Sequence, residues 1–469
     1  MYRRRFVRAL FLPYTTRSER LIYRRQIRKS QKSKGRRIHV DKINAWFNEK
    51  MLPVAAKVSA NKVLIAIRNG ITLALPLIIT GSLFLIISSF PIDAWTSFMA
   101  SSGIDVLLSK GVDATFGIMG LVAAFGIANA LAVQYDKDGV SAGIISVASF
   151  LVVTPNLISD DGTGIPTAFM GAKGLFVAML IAILSTYIFN WFINHNIQIK
   201  LPESVPPAVA KSFSALIPGA TIITLWLAVY ALFQNFNLGS GNIHEVLMDV
   251  LGGPLGLLGG TLGGTIVSIV LVSLFWFMGI HGANVVNSVI MPIWLMNTDA
   301  NRVAAKAGEE LPHIITQPFM ENFVYMGGGG ATLGLVIAIA IVALKKNSSK
   351  VTKSMAPLTL TPGLFNINEP AMFGLPIVLN VTLLIPFILA PVVNAVVTYF
   401  AMSLGLVHGT VGVVIPWTMP PVLSGFLATG GHISGAVIQI ICLILDILIY
   451  LPFFNVTEAQ NRKAELLEK

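Results

Sequence analysis

The sequence predicts an all-α polytopic membrane protein of about ten transmembrane helices with two re-entrant hairpins, because a span needs ~20 apolar residues. Of its 469 residues, 54% are hydrophobic and only 12% are charged. A soluble domain carries roughly 25% charged residues. In the second half, proline and glycine interrupt the apolar runs within IITQPFMENFVYMGGGG and NINEPAMFGLP. Broken backbone at membrane depth is tolerated where it lines a cavity or is buried in protein, which predicts the two hairpins there.

The basic charge of the chain is concentrated in residues 1–40. This segment holds eleven Arg and three Lys against the single acid Glu19, a net charge of +13, while the whole chain carries +11. No nucleic-acid recognition motif accompanies it, so we predict a cytoplasmic tail attracted to anionic lipid and no nucleic-acid partner. Alternatively, translation starts after it. The lysine-rich loop at 345–353 indicates a second cytoplasmic segment, and an even span count places both termini in the cytoplasm.

The first half of the chain contains regular apolar spans, whereas the spans of the second half are interrupted. The chain has one Cys and no Cys/His pair at metal-ligand spacing, so we expect no disulfide framework and no metal site. No Walker loop or other cofactor motif is present. Residues 299–313 look polar and irregular. The predicted spans are 69–92, 114–135, 139–159, 174–194 and one within 212–244, followed by a glycine-rich apolar region at 251–298 and spans within 323–344, 375–406, 411–428 and 433–453.

Glu369 is isolated in the sequence. The nearest charged residues are Lys353 before it and Asp446 after it, and the 76 positions from Pro370 to Leu445 contain no Asp, Glu, Lys or Arg. A carboxylate in such a setting is expensive to bury and is therefore a functional-site hypothesis. One interpretation is a hairpin that presents Glu369, Asn366 and Asn368 to a ligand. The other is an ordinary loop with an exposed glutamate at the water interface.

Other polar and aromatic residues interrupt the apolar second half. His281 lies in GIHG with Asn284 three positions later, and an imidazole beside amides supplies the donors and acceptors that suit sugar hydroxyls. The alternative is a histidine bonded to a neighbouring helix. Trp417, in IPWTMPP, suits stacking on a sugar ring or an interfacial aromatic belt. Asn322, in the first predicted hairpin, is a further candidate for lining the site.

Six stretches, in order, resemble one family. They are IRNGITLALPLIITGSLF, LPESVPPAVAKSFSALIP, FWFMGIHGANVVNSVIMPIW, ENFVYMGGGGATL, NINEPAMFGLPIVLN and PWTMPPVLSGFLATGG. These closely resemble the membrane component, enzyme IIC, of the bacterial phosphoenolpyruvate-dependent sugar phosphotransferase system, in its lactose/cellobiose/diacetylchitobiose branch. The resemblance covers residues 41 to 455.

The resemblance implies a homodimeric elevator-type transporter in the bacterial plasma membrane. It implies an N-terminal scaffold and dimerisation domain at 41–245, a sugar-binding transport domain at 246–455 and a cytoplasmic tail at 456–469. A β-linked disaccharide of the cellobiose type would cross the membrane and be phosphorylated by a phosphocysteine on a separate IIB protein, which receives its phosphate from phosphoenolpyruvate through IIA and general components. The family motif places Glu369 and His281 near the phosphorylated hydroxyl as catalytic and sugar-binding residues. We expect no IIA or IIB domain in this chain, so the complete enzyme is a complex.

Two other functions fit parts of the sequence. An ion-coupled secondary sugar transporter could have a similar broken-helix site, and dependence of uptake on an ion gradient rather than on phosphoenolpyruvate would identify it. A regulatory or membrane-tethering protein could hold a partner through the basic tail. Transport that survives deletion of residues 1–40 would exclude that role.

Overall fold

The computed structural model describes residues 49–50, 52–90, 92–159, 162–202, 204–375 and 380–467. The predicted basic tail at 1–40 and the end of the Glu369 stretch, from Pro376, lie outside the described residues. The chain divides into two compact units, Met1–Ala56 and Lys57–Lys469. The fold and the candidate site described below belong to the second unit, and the predicted division between residues 245 and 246 stays a prediction.

Helices dominate the first half, as expected where lipid forces backbone polar groups to bond within a segment. Helices α2 and α3 together, and α5 and α6 together, are each long and apolar enough to form one span. The helices are α1 (Leu52–Ser59), α2 (Lys62–Thr72), α3 (Leu75–Ser88), α4 (Asp93–Ser102), α5 (Ile104–Phe116), α6 (Met119–Val133), α7 (Gly139–Val153), α8 (Leu175–Asn194), α9 (Pro207–Ser214) and α10 (Leu216–Asn235).

A short β-hairpin follows α7. Strands β1 (Leu157–Ser159) and β2 (Gly162–Gly164) pair antiparallel, with Ile158 opposite Thr163. The span predicted at 139–159 is therefore helical only as far as Val153. Residues after it include Pro155, which has no backbone N–H for a helix, and the helix ends before this proline.

The second half contains more interruptions. Helices α11 and α12 meet at a bend of 70°, and a π-helical turn lies at Phe319–Val324 inside the first predicted hairpin. The helices are α11 (Ile243–Gly259), α12 (Leu262–Phe277), α13 (Gly282–Ala307), α14 (Leu333–Ala343), α15 (Lys350–Leu364), α16 (Glu369–Gly374), α17 (Val381–Ser403), α18 (Leu423–Ala428) and α19 (Ile433–Leu467).

Two sequence predictions in this half are wrong. The sequence predicts residues 299–313 to be irregular, which holds only from residue 308 onward. Helix α13 continues to Ala307 because its polar residues find partners: the Asn301 side-chain amide donates to the His313 and Thr410 carbonyl oxygens at 2.6 and 2.8 Å. The span expected at 411–428 is only the short helix α18, preceded by left-handed backbone at Gly412 and Val422. Apolar composition there reflects packing rather than a continuous helix.

Six helices or joined helix pairs among the described residues are long and apolar enough to cross a membrane, and seven if α11 and α12 count as one bent span. This confirms an all-helical, multi-spanning membrane protein. The buried apolar residues form two clusters. One runs from Ala66 to Ile243 and includes Leu295 and Val414; the other runs from Ile269 to Phe454.

Candidate functional site

The candidate site is built where three loops of the second half meet. Asn366 adopts left-handed backbone, with φ of 62°. Its side-chain oxygen accepts a hydrogen bond from the Gly327 backbone N–H at 2.6 Å. Its side-chain nitrogen donates to the carbonyl oxygens of Trp417 at 2.6 Å and Met419 at 3.0 Å. One buried amide therefore joins the glycine loop at 327–330, the segment before α16 and the segment around Trp417.

Asn368 continues this arrangement. It is buried, immediately precedes α16, and its side-chain nitrogen donates to the Gly329 carbonyl oxygen at 3.0 Å. The glycine loop can approach because it lacks side chains. Gly328 has φ of +92°, and a Cβ there would lie 2.9 Å from the Asn368 Cγ. The amides of Asn366 and Asn368 thus bond to backbone, whereas the sequence predicted that they bind sugar; that prediction is untested.

Glu369 is the first residue of α16 and is exposed. Within the described residues its carboxylate forms no hydrogen bond and no ion pair. The backbone around it is nevertheless fixed, because Asn366 and Asn368 hold the preceding segment to two other loops. The arrangement presents a carboxylate at a defined place without using its oxygens for structure.

His281 stands at the N-terminal end of α13, where its Nδ1 accepts a hydrogen bond from the Asn284 backbone N–H at 3.3 Å. In the neutral imidazole the proton therefore resides on Nε2, since the nitrogen that accepts is not the one that donates. Its ring is exposed. The charges that act on it come from Glu369 and from Arg68. The charge of Glu369 therefore acts on His281 in the structure, and the sugar-binding role of both residues stays a prediction.

Trp276 is a site residue that the sequence reasoning missed. Its ring centroid lies 4.4 Å from that of His281, with 46° between the planes. It is buried, and its indole N–H has no hydrogen-bond partner among the described residues. A Cβ at Gly329 would lie 2.7 Å from the indole nitrogen. The signal in the sequence was an aromatic residue five positions before an isolated histidine.

The remaining predicted residues have different surroundings. Trp417 is 51% exposed, so an aromatic face is available where its carbonyl is held by Asn366. Asn284 is exposed beside His281. Asn322 is buried in the π-helical turn, and neither of its side-chain polar atoms has a partner among the described residues. Among the described residues, no hydrogen bond links Asn322 to His281 or Glu369.

A cavity of about 910 Å³ lies elsewhere in the described residues. It is lined by parts of α3 and α5, the end of α13 and the segment 411–432, and contains none of the predicted site residues. At its wall, Arg302 and Lys306 approach the carboxylate of Asp113 at 3.8 and 3.9 Å. The predicted site residues therefore lie outside this cavity.

A family model described as "Phosphotransferase system, EIIC" matches residues 68–391, which include the described positions of His281, Asn322 and Glu369. The chain belongs to this family. The resemblance drawn from its motifs is thereby confirmed, and the protein is the membrane permease component of a phosphotransferase system.

Relatives of known name are similar over nearly the whole chain. The lichenan permease IIC component of Bacillus subtilis (strain 168) is 47% identical over 439 residues, covering 91% of this chain and 96% of the relative. The cellobiose-specific EIIC component of Geobacillus stearothermophilus is 45% identical over 447 residues, covering 91% and 96%. Among solved structures, the transporter ChbC, the IIC component from the N,N'-diacetylchitobiose-specific phosphotransferase system, matches with a TM-score of 0.83 and 43% identity, covering 90% of this chain and 99% of that chain.

Proposed function

We propose that this EIIC protein carries a β-linked disaccharide of the cellobiose type across the membrane and presents it for phosphorylation by a phosphocysteine on a separate IIB protein. The observation that carries the proposal is the carboxylate of Glu369, which has no partner among the described residues, follows a backbone segment held by Asn366 and Asn368, and acts by its charge on His281. The names of the relatives, lichenan permease and cellobiose-specific component, support the choice of sugar. The phosphotransferase family supports the choice of donor.

The side chains divide the chemistry between them. Phosphoryl transfer depends mainly on an oriented nucleophilic oxygen. Glu369 accepts the proton of the reacting sugar hydroxyl, because its oxygens have no partner among the described residues and its charge acts on His281. His281 donates from Nε2 to a sugar oxygen, because its Nδ1 is occupied by the Asn284 N–H. The exposed face of Trp417 stacks on a sugar ring.

The amides divide into two groups in this proposal. Asn284 and Asn322 are available to bind sugar hydroxyls, the first because it is exposed and the second because its amide has no partner within the described residues. Asn366 and Asn368 act on the sugar indirectly, by positioning Glu369 and Trp417 through hydrogen bonds to backbone.

We propose a homodimeric elevator-type transporter with about ten spans and two hairpins, in which each span takes ~20 residues or a joined pair of shorter helices. Its scaffold domain lies at 41–245 and its transport domain at 246–455. Both termini are cytoplasmic. The two separate clusters of buried apolar residues support the division. The 70° bend between α11 and α12 supports interrupted spans. Interrupted helices are where transporters place their substrate sites.

Uptake by membrane vesicles tests the proposal. Vesicles loaded with phosphoenolpyruvate, the general phosphotransferase components, IIA and IIB should accumulate cellobiose as its phosphate, and omission of IIB should abolish accumulation. An ionophore that collapses proton and sodium gradients should leave the rate unchanged. Accumulation of unmodified cellobiose that needs an ion gradient and no IIB would contradict the proposal and establish an ion-coupled transporter.

A further inference from the structure

Arg68 lies in α2, inside the candidate span Lys62–Ser88. Its Nε–H and one Nη2–H both point to the side-chain oxygen of the adjacent Asn69, at 3.0 and 2.8 Å. A guanidinium has five N–H donors, so three have no hydrogen-bond acceptor among the described residues. Within the same residues no carboxylate forms an ion pair with Arg68. A charged side chain in a span is costly and marks a pathway or a partner.

The position of Arg68 relative to the candidate site follows from helix packing. Helix α2 packs against α13, whose N-terminal end carries His281. The rotation of α2 is fixed because Gly70 lies against α6, with its Cα 2.9 Å from where a Cβ of Gly126 would be. Arg68 and Glu369 are the cation and the anion whose charges act on the His281 ring. A guanidinium with three free donors therefore lies on the helix that packs against α13, the helix that begins beside His281.

We propose that Arg68 binds the phosphoryl group during its transfer to the sugar and holds the phosphate of the product. This inference rests on the proposed function. Arginine suits the role because its planar fork bonds two phosphate oxygens at once and its charge persists at any physiological pH. The guanidinium supplies both the positive charge and three unused N–H donors for the transferred group.

The step balances with groups that the proposed function supplies. The sugar hydroxyl oxygen attacks the phosphorus of the IIB phosphocysteine, and the O–P bond forms as the S–P bond breaks. The hydroxyl proton passes to the Glu369 carboxylate, and the cysteine leaves as a thiolate. Arg68 neutralises charge that collects on the three non-bridging oxygens. An arginine in this position is worth about 10³–10⁵ in rate in other phosphoryl-transfer enzymes.

The first test compares transfer and binding in purified protein. With phospho-IIB and radiolabelled cellobiose, Arg68→Gln should lower kcat by ~10²–10³-fold, while the Kd for cellobiose stays within about twofold because the sugar itself does not contact Arg68. Arg68→Lys should fall between, because it keeps the charge and loses the fork. Arg462→Gln removes an exposed arginine on α19 and serves as the matched control with unchanged kcat.

The second test needs no IIB. Wild type should bind cellobiose 6-phosphate at least about tenfold more tightly than Arg68→Gln does, which corresponds to about 1.4 kcal/mol, and both should bind cellobiose alike. Equal binding of the phosphate by both proteins would overturn the inference, as would a parallel loss of cellobiose and phosphate binding, which a merely structural role produces. A different result separates this inference from the proposed function: the wild type accepts no phosphate from phospho-IIB, but Arg68→Gln still binds cellobiose 6-phosphate more weakly than the wild type does. In that case the proposed donor is wrong and the phosphate site stands.

Discussion

Two glutamates of the second half have opposite surroundings. Glu458 in α19 is buried, and its carboxylate accepts hydrogen bonds from the Ser349 backbone N–H at 2.6 Å, the Ser349 hydroxyl at 2.7 Å and the Thr352 hydroxyl at 2.6 Å. It thereby caps the start of α15. Glu369, a few residues beyond the other end of α15, is exposed and has no such partner among the described residues. The Glu458 carboxylate is occupied by hydrogen bonds that stabilise the fold, whereas the Glu369 carboxylate is available to bind a ligand or accept a proton.

The largest expected effect comes from removing the charge of Glu369. Glu369→Gln keeps the shape of the side chain and removes the proton acceptor, so the rate of phosphoryl transfer from phospho-IIB should fall by about 10²–10⁴-fold. The thermal unfolding midpoint in detergent should not change, because no hydrogen bond depends on this carboxylate in the described structure. Transfer at the wild-type rate would contradict the assignment of Glu369 as the base.

The next effect separates positioning from binding. Asn366→Ala removes three hydrogen bonds and leaves the Gly327 N–H and two carbonyl groups without their partner. We expect the free energy of unfolding to fall by roughly 2–4 kcal/mol, together with weaker sugar binding, since Glu369 and Trp417 lose their common anchor. Denaturant unfolding followed by tryptophan fluorescence measures this. Loss of sugar binding at unchanged stability would instead identify Asn366 as a direct ligand of the sugar.

The same Glu→Gln substitution at Glu458 should lower stability and leave phosphoryl transfer unchanged, the opposite of the result expected at Glu369. Glu458→Gln weakens charged hydrogen bonds to Ser349 and Thr352, so the unfolding free energy should fall by about 1–2 kcal/mol. Cellobiose affinity and transfer rate should stay near those of the wild type. A variant that retains full stability and loses transfer would show that the comparison between the two glutamates is wrong.

The smallest effect is a pH dependence at His432. Its ring stacks on that of His408, with centroids 4.0 Å apart and 5° between the planes. Burial first, and the charge of His408 second, lower the pKa of His432 below its ordinary value of 6.5. Below about pH 6.5 the unfolded chain therefore binds more protons than the folded protein, and stability falls as the pH drops.

Thermal melts of wild type and His432→Asn between pH 7.5 and 5.0 test this dependence. Over that range the thermal unfolding midpoint of the wild type should fall further than that of the variant. The difference should be about 2 °C or less, because the His432 ring is largely accessible. Equal pH profiles for the two proteins would show that the stacked pair is not linked to folding. His408→Asn serves as the matched variant that removes the second cause while leaving burial.

Glu369 and His281 could be chosen as candidates from the sequence because their isolation is a property of the sequence itself. The role of Asn366 could not, because its hydrogen-bond partners lie 39, 51 and 53 positions away and are all backbone atoms. In the sequence, an amide side chain near an isolated carboxylate looks the same whether it binds a ligand or forms hydrogen bonds to the backbone of another loop. Trp276 was missed for a related reason: its place five positions before His281 is a weak signal, and an apolar run does not show that the two rings are in contact.

The membrane class followed from composition, but the continuity of individual helices did not. Asn301 keeps α13 helical through a polar stretch by bonding two carbonyls from other segments. Conversely, the apolar run at 411–428 contains left-handed backbone at Gly412, where a Cβ would come within 2.5 Å of the Arg302 Cβ. In both cases tertiary contacts override the local pattern, so hydropathy alone underestimates the helix at 299–307 and overestimates it at 411–428.

The measurement that tests the central claim most directly is calorimetric binding of cellobiose, lactose and N,N'-diacetylchitobiose to purified protein. Wild type, Glu369→Gln, His281→Ala and the control Glu458→Gln should be compared in one detergent. We expect one sugar to bind to the wild type and to the control with the same Kd, and both site variants to lose at least about tenfold in affinity. Wild-type affinity in both site variants, with folding intact, would place the sugar elsewhere and contradict the account.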